Sequence, residues 1–255
     1  MKSLCIAFAM YSKLPVPHVD WDKKSLAWAL CWFPLVGGVI GGGLLLWLWL
    51  AAALHFGPLF RGIGALIIPI ALSGAIHLDG FCDTADALGS HQTRQRKLEI
   101  LQDSHTGAFA IICCTLYLLL FFTAWSEVVP AGRVLFVLAL GPVLSRSLSG
   151  LMAVTQKNAR GSGLLATFTQ PMEGKKAAAI LALWAVVSAG GMLLADPLTG
   201  VASLLAAGLT LLYYRVMSRR QFGGITGDLA GFFLQICECA MVLAVVLAQH
   251  IEVLL

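Results

Sequence analysis

The sequence predicts an all-α, polytopic integral membrane protein of about seven transmembrane helices, with a reactive site at its cytoplasmic edge. Three observations predict this class. Of 255 residues, 59% are hydrophobic and only 12% charged, whereas a soluble domain carries about 25% charged residues. Mean hydropathy is +0.86. Apolar runs close to the ~20 residues that a helix needs to cross the hydrocarbon core recur along the chain, and basic residues favour alternate connections between them.

Residues 1–30 are expected to form an interfacial lead-in, with Trp21 and Trp28 at headgroup level. The first apolar run, Leu4 to Met10, is short and stops at Lys13 and Pro15, so no cleavable signal peptide is expected. Spans are expected at 31–54, 60–78, 108–126, 133–154, 177–195, 198–217 and 229–250, within a single membrane domain covering 1–255. Gly37 with Gly41, and Gly38 with Gly42, give the first span two GxxxG spacings, which favour close helix packing.

Seven spans place four basic regions on one side. They hold Lys2, Lys13, Lys23 and Lys24; Arg94, Arg96 and Lys97; Lys157, Arg160, Lys175 and Lys176; and Arg215, Arg219 and Arg220. The other side holds Arg61 and Arg133, and Arg146 lies within a span. The positive-inside rule puts the rich side, and the N-terminus, in the cytoplasm. The net charge of +4 therefore reads as membrane orientation, not nucleic-acid binding. The seven cysteines are odd in number, form no CxxC pair and lie mostly in apolar runs, so they read as reduced packing residues.

The chemistry-bearing stretch is His77-Leu78-Asp79-Gly80-Phe81-Cys82-Asp83-Thr84-Ala85-Asp86. On a helix, carboxylates at i, i+4 and i+7 share one face. Close carboxylates repel unless a cation joins them, and hard oxygen donors suit Mg²⁺ or Ca²⁺ rather than zinc. Asp103 follows in the same loop, and His77, His91 and His105 flank the group as candidate bases. Helix capping by aspartates is the plainer alternative.

Two further patches could hold phosphate. Gly223-Gly224-Ile225-Thr226-Gly227-Asp228 opens the last span, where glycines let backbone N–H groups approach an anion. Asn158-Ala159-Arg160-Gly161-Ser162-Gly163 offers a guanidinium as a two-donor clamp. Within the membrane, Arg146 calls for an acidic partner, with Glu238 or the aspartate group as candidates. Gln235 shares the helical face of Glu238.

Taken in order, these elements resemble the cobalamin synthase family, the adenosylcobinamide-GDP ribazoletransferases. The resemblance rests on Phe33-Pro34-Leu35-Val36-Gly37, the His77–Asp86 stretch, Asp103-Ser104-His105-Thr106-Gly107-Ala108-Phe109, Ala159-Arg160-Gly161-Ser162-Gly163 and Gly223–Asp228 with Glu238 beyond it. Ala87 and Gln235 depart from the family pattern, which has glycine and often an acidic residue there. The resemblance implies that adenosylcobinamide-GDP is joined to α-ribazole or its 5′-phosphate, releasing GMP, with Mg²⁺ required. It places the enzyme in the bacterial cytoplasmic membrane with its site facing the cytoplasm. It allows a homo-oligomer or association with other cobalamin-assembly enzymes. In this frame Asp79, Asp83, Asp86 and Asp228 are expected at the metal. Arg160, Gly223, Gly224, Thr226 and Gly227 are expected at the phosphates, and Asp103, Asp86 and His77 among the catalytic groups.

Two other readings fit less well. A CDP-alcohol phosphotransferase would need an Ala-Arg pair soon after the first aspartate, and Phe81-Cys82-Asp83 stands there instead. A transporter would use the intramembrane Arg146 and Glu238 as a translocation path, but the acidic cluster lies at a cytoplasmic edge and not at the midplane.

Overall fold

The computed structural model describes residues 1–160 and 171–254, and within them the chain is helical apart from connecting loops and turns and an isolated bridge between Asn158 and Ile225. Helices α1 (Lys2–Tyr11) and α2 (Lys23–Ala29) lead through a 3₁₀ turn at Leu30–Trp32 into α3 (Phe33–Ala53). Then follow α4 (Pro58–Ser73), α5 (Ile76–Gly89), α6 (Arg94–Ile100), α7 (Ala108–Glu127) and α8 (Val134–Thr155). Next come α9 (Pro171–Ala195), α10 (Pro197–Met217), a π turn at Ser218–Phe222 and α11 (Gly227–Leu254).

Local chemistry sets several boundaries. Asp22 caps α2 through the Ser25 N–H, Thr93 caps α6 through Arg96, and Asp196 caps α10 through Thr199. Pro34, Pro58 and Pro197 sit in first turns, where the missing N–H costs nothing. Six helical stretches, beginning with Lys24–Ala53, are long and apolar enough to cross a membrane. Many of their apolar side chains point outward: Leu46 is 62% exposed and Leu209 69%. Such stripes face lipid.

Residues 1–30 are more than a surface lead-in. Ile6 and Ala7 of α1 are fully buried, and residues 24–30 continue helically into the first span. Trp21 remains exposed, as expected of a headgroup anchor.

Residues 60–78 do not form one straight span. The helix stops at Ser73, Gly74 and Ala75 take left-handed φ values of 65° and 62°, and α5 departs at 94° to α4. Hydropathy is blind to this bend, because Gly74-Ala75-Ile76 is as apolar as the helix before it. The ends of α4 lie at opposite ends of the bundle. Near its start, Arg61 donates to the Val128 carbonyl beyond α7; at its end, the Leu72 carbonyl accepts from Lys13 N–H beyond α1. Helix α5, at 94° to α4, lies across the Leu72 end of the bundle.

Neighbouring ends keep the same order. Gln249 bonds Val129 at the Arg61 end, while Gln156 at the end of α8 accepts from Arg219 beyond α10 at the other. The chain zigzags through the six long apolar helices, or seven crossings with the bent α4–α5 pair counted as one, and the four basic regions gather at one end. Helices α8 and α11 are the most enclosed. Gly37 and Gly41 let α3 press against α8: an added Cβ would stand 2.3 Å from the Pro142 carbonyl oxygen and 1.9 Å from that of Ala139. Gly38 and Gly42 face away from this contact, so only one of the two GxxxG registers packs α8.

Candidate active site

Two glycines bring the aspartate helix onto the last span. A Cβ on Gly80 would lie 2.7 Å from the Asp228 carbonyl oxygen, and one on Gly231 would lie 2.9 Å from that of His77. Helices α5 and α11 thus cross nearly backbone to backbone. Phe81 stacks on Phe232 beside the crossing, with ring centroids 5.4 Å apart. Sequence reading had no role for Gly80 or Gly231; only the partner helix explains them.

The crossing gathers charge. Asp83 is half-buried, and its carboxyl is pushed up to about 6. Burial is the largest cause, followed by the negative fields of Asp79, Asp228 and Asp86, with Arg160 opposing them. The carboxylates of α5 and α11 are therefore near neighbours with too little positive charge. Arg160 supplies part of it: Nη2 lies 3.0 Å from Asp228 Oδ2 and 3.3 Å from the Leu101 carbonyl, while Nε is buried without a partner.

Asp86 has a second task. It accepts the N–H groups of Gly107 and Ala110, at 2.5 and 2.9 Å, and so caps α7. Gly107 is required there, since a Cβ would meet the Asp86 carboxylate at 2.5 Å. Asp103 is half-exposed and tied to its own turn, accepting from His105 N–H at 3.0 Å and facing His105 Nδ1 at 2.7 Å. The backbone bond, then the side-chain bond, holds its carboxyl below the usual range. His91 is exposed in the turn after α5, with φ of 51°.

The glycine-rich element is already engaged. Gly223 and Gly224 N–H groups close the π turn on Arg219 and Ser218, and Ile225 N–H bonds the Lys157 carbonyl. Ala159 N–H returns to Ile225, so this element and the Arg160 segment form a two-bond clasp. A Cβ on Gly224 would stand 2.3 Å from the Lys157 oxygen. The N–H groups without an acceptor inside a helix are those at the start of α11, Gly227 and Asp228. Thr226 Oγ1 caps this helix through Leu229. Gly161, Ser162 and Gly163 lie outside the described residues.

Deeper in the membrane, Arg146 Nη1 lies 2.6 Å from Glu238 Oε1, with Ser145 Oγ 2.7 Å from the same oxygen. Both charged residues are buried, so Glu238, not the aspartate group, is the partner of Arg146. Tyr117 donates to Gln235 beside it.

Among the described residues, no three His, Cys, Asp or Glu side chains enclose a metal site on their own. The donor set nonetheless fits a magnesium ion, which is commonly held by one or two carboxylates together with substrate phosphate oxygens and water.

The sequence pattern of cobalamin-5-phosphate synthases matches residues 3–246. The chain is 44% identical to an adenosylcobinamide-GDP ribazoletransferase of Lachnoclostridium phytofermentans, over 98% of this chain and 95% of the relative. It is 34% identical to one of Stutzerimonas stutzeri, over 97% of this chain and 98% of the relative. A third, from Clostridium botulinum, is 30% identical over 93% and 94%. No solved structure matches the chain. A match that runs through the aspartate helix, the Arg160 segment and the start of α11 alike establishes that the chain belongs to the cobalamin-5-phosphate synthase family.

Proposed function

We propose that the chain joins adenosylcobinamide-GDP to α-ribazole or its 5′-phosphate, with Mg²⁺, at the cytoplasmic face of the bacterial inner membrane. A ribose hydroxyl oxygen forms a bond to the phosphorus nearest cobinamide. The bond from that phosphorus to the bridging oxygen breaks, GMP leaves with the electron pair, and the hydroxyl proton passes to a carboxylate.

The observation that carries this reading is the Arg160–Asp228 pair at 3.0 Å beside the close crossing of α5 on α11, which brings the helix bearing Asp79, Asp83 and Asp86 against the start of α11. A bound Mg²⁺ would supply charge neutralisation at the diphosphate. Asp83, with Asp86 or Asp228 as a second carboxylate, would hold it together with substrate phosphate oxygens and water. Arg160 and the N–H groups that open α11 would bind phosphate oxygens. Asp79 is the exposed member and lines two cavities at the α5 start, so it is placed to take the proton. Asp103 suits a ligand role better than that of the base, because His105 holds its proton affinity down. Fourteen basic residues at the same end, against two at the other, support the cytoplasmic orientation.

The test is incubation of protein-bearing membranes with adenosylcobinamide-GDP, α-ribazole 5′-phosphate and magnesium. The expected result is equimolar GMP and a corrinoid whose mass is the sum of the substrates less GMP. Uptake of the corrinoid into vesicles with no covalent change would favour a carrier instead.

A further inference from the structure

A cavity of about 200 Å³ opens beside the carboxylates, between α1, α3, α5, α8 and α11. Asp79 and Asp228 stand at its rim, and its wall is largely apolar, with Phe33, Ala153 and Leu234. The polar residues of the wall are His77, Ser149 and Tyr11. His77 is only 5% exposed, yet its imidazole makes no hydrogen bond, and Nε2 is buried without a partner. Tyr11 and Phe33 hold the imidazole by ring contacts at 6.5 and 5.7 Å.

A buried polar group left unpaired is costly, and native structures keep few of them. The wall also has unused space: a Cβ on Gly227 would meet nothing within 4 Å. Water occupies about 30 Å³ per molecule, so the cavity has room for a fused two-ring heterocycle. Guanine carries donors and acceptors on several edges and would leave most of them unpaired against this wall. A benzimidazole-type base, glycosylated at one nitrogen, offers a single ring-nitrogen acceptor on an otherwise apolar frame.

We infer that this cavity seats the aromatic base of the incoming α-ribazole, with the His77 imidazole donating a hydrogen bond to the base's free ring nitrogen. The inference rests on the transferase reading and deepens it. Tyr11 and Phe33 supply aromatic contacts to the bicyclic ring. The attached ribose emerges at the rim, beside Asp79, where its hydroxyl has to react. His77 is then a specificity residue that touches substrate, not the base that removes the proton.

The experiment varies α-ribazole and adenosylcobinamide-GDP separately in steady-state assays of the lipid-embedded protein. His77→Leu is expected to raise the KM for α-ribazole about tenfold, the loss of one hydrogen bond, and to leave that for adenosylcobinamide-GDP within about twofold. His77→Gln, which retains a donor, recovers most of the loss. Ala153→Leu narrows the cavity from a wall residue with no part in phosphate binding and raises the same KM selectively; it carries the test if His77→Leu fails to fold. An indole riboside, which lacks the free nitrogen, serves wild type and His77→Leu alike. A rise confined to adenosylcobinamide-GDP would assign the cavity to guanine and overturn the inference, as would unchanged KM values in the folded variants. Calorimetric titration with α-ribazole separates the two readings. Binding that is weakened by His77→Leu, in a wild-type protein that releases no GMP, would sink the transferase reading and keep the base site.

Discussion

At the residue scale, the buried Arg146–Glu238 pair is an energetic commitment. Two charges at 2.6 Å inside a bilayer are tolerable only because each satisfies the other and Ser145 adds a bond. Removing one partner leaves an uncompensated charge. Glu238→Ala is expected to lower stability by about 3 kcal/mol, read as an earlier denaturation midpoint in detergent. Arg146→Met with Glu238→Leu is expected to recover much of that loss. If Glu238→Ala alone unfolds like wild type, the pair holds nothing together. The partner choice was not legible in the chain, because residues 92 positions apart share no local periodicity. The carboxylates divide differently. Asp79→Asn is expected to lower kcat at unchanged magnesium affinity, since it leaves Asp83, Asp86 and Asp228 in place. A weakened magnesium dependence in that variant would instead make Asp79 a ligand.

At the element scale, function depends on where α5 turns. Gly74 and Ala75 bend the chain by 94°, and Gly80 with Gly231 then lets α5 settle on α11. Gly80→Val inserts side-chain atoms where the Asp228 backbone stands. The variant is expected to lose most activity, by about a hundredfold, while keeping its membrane-embedded fold, because displacement by about 1 Å is enough to cost that much. Gly38→Ala, at a glycine facing no neighbour that closely, is the control, with activity near wild type. Equal activity in the two variants would remove the argument for close approach. The i, i+4, i+7 spacing of Asp79, Asp83 and Asp86 could be read from the sequence, because a helix fixes which residues share a face. The bend, the crossing and the capping duty of Asp86 could not. Each depends on a left-handed backbone step or a partner far along the chain, and neither leaves a mark on hydropathy. The internal bonds of the glycine-rich element were hidden for the same reason: Gly223 and Gly224 give their N–H groups to a π turn, which the spacing of glycines alone does not reveal.

At the scale of the whole molecule, the bundle of apolar helices collects the basic loops, the aspartate helix and the mouth of the base cavity at one end. Composition and charge asymmetry made this legible, since both are set by the bilayer rather than by particular contacts. Arg61 is an exception with a local reason: it donates to the Ser126 and Val128 carbonyls at the end of α7, where a cation is favoured. In intact cells, Ser104→Cys is expected to resist a membrane-impermeant maleimide and Ala131→Cys to react; both positions are exposed, at opposite ends of the fold. The reverse pattern would place the site on the wrong face of the membrane. The most direct test of the central claim is the magnesium dependence of GMP release by wild type and Asp83→Asn in lipid. The account predicts magnesium-dependent release by wild type. In the variant it predicts a loss of about a hundredfold, equivalent to about 3 kcal/mol of charge stabilisation, that added magnesium restores only in part. Normal turnover by Asp83→Asn with an unchanged magnesium curve would contradict it.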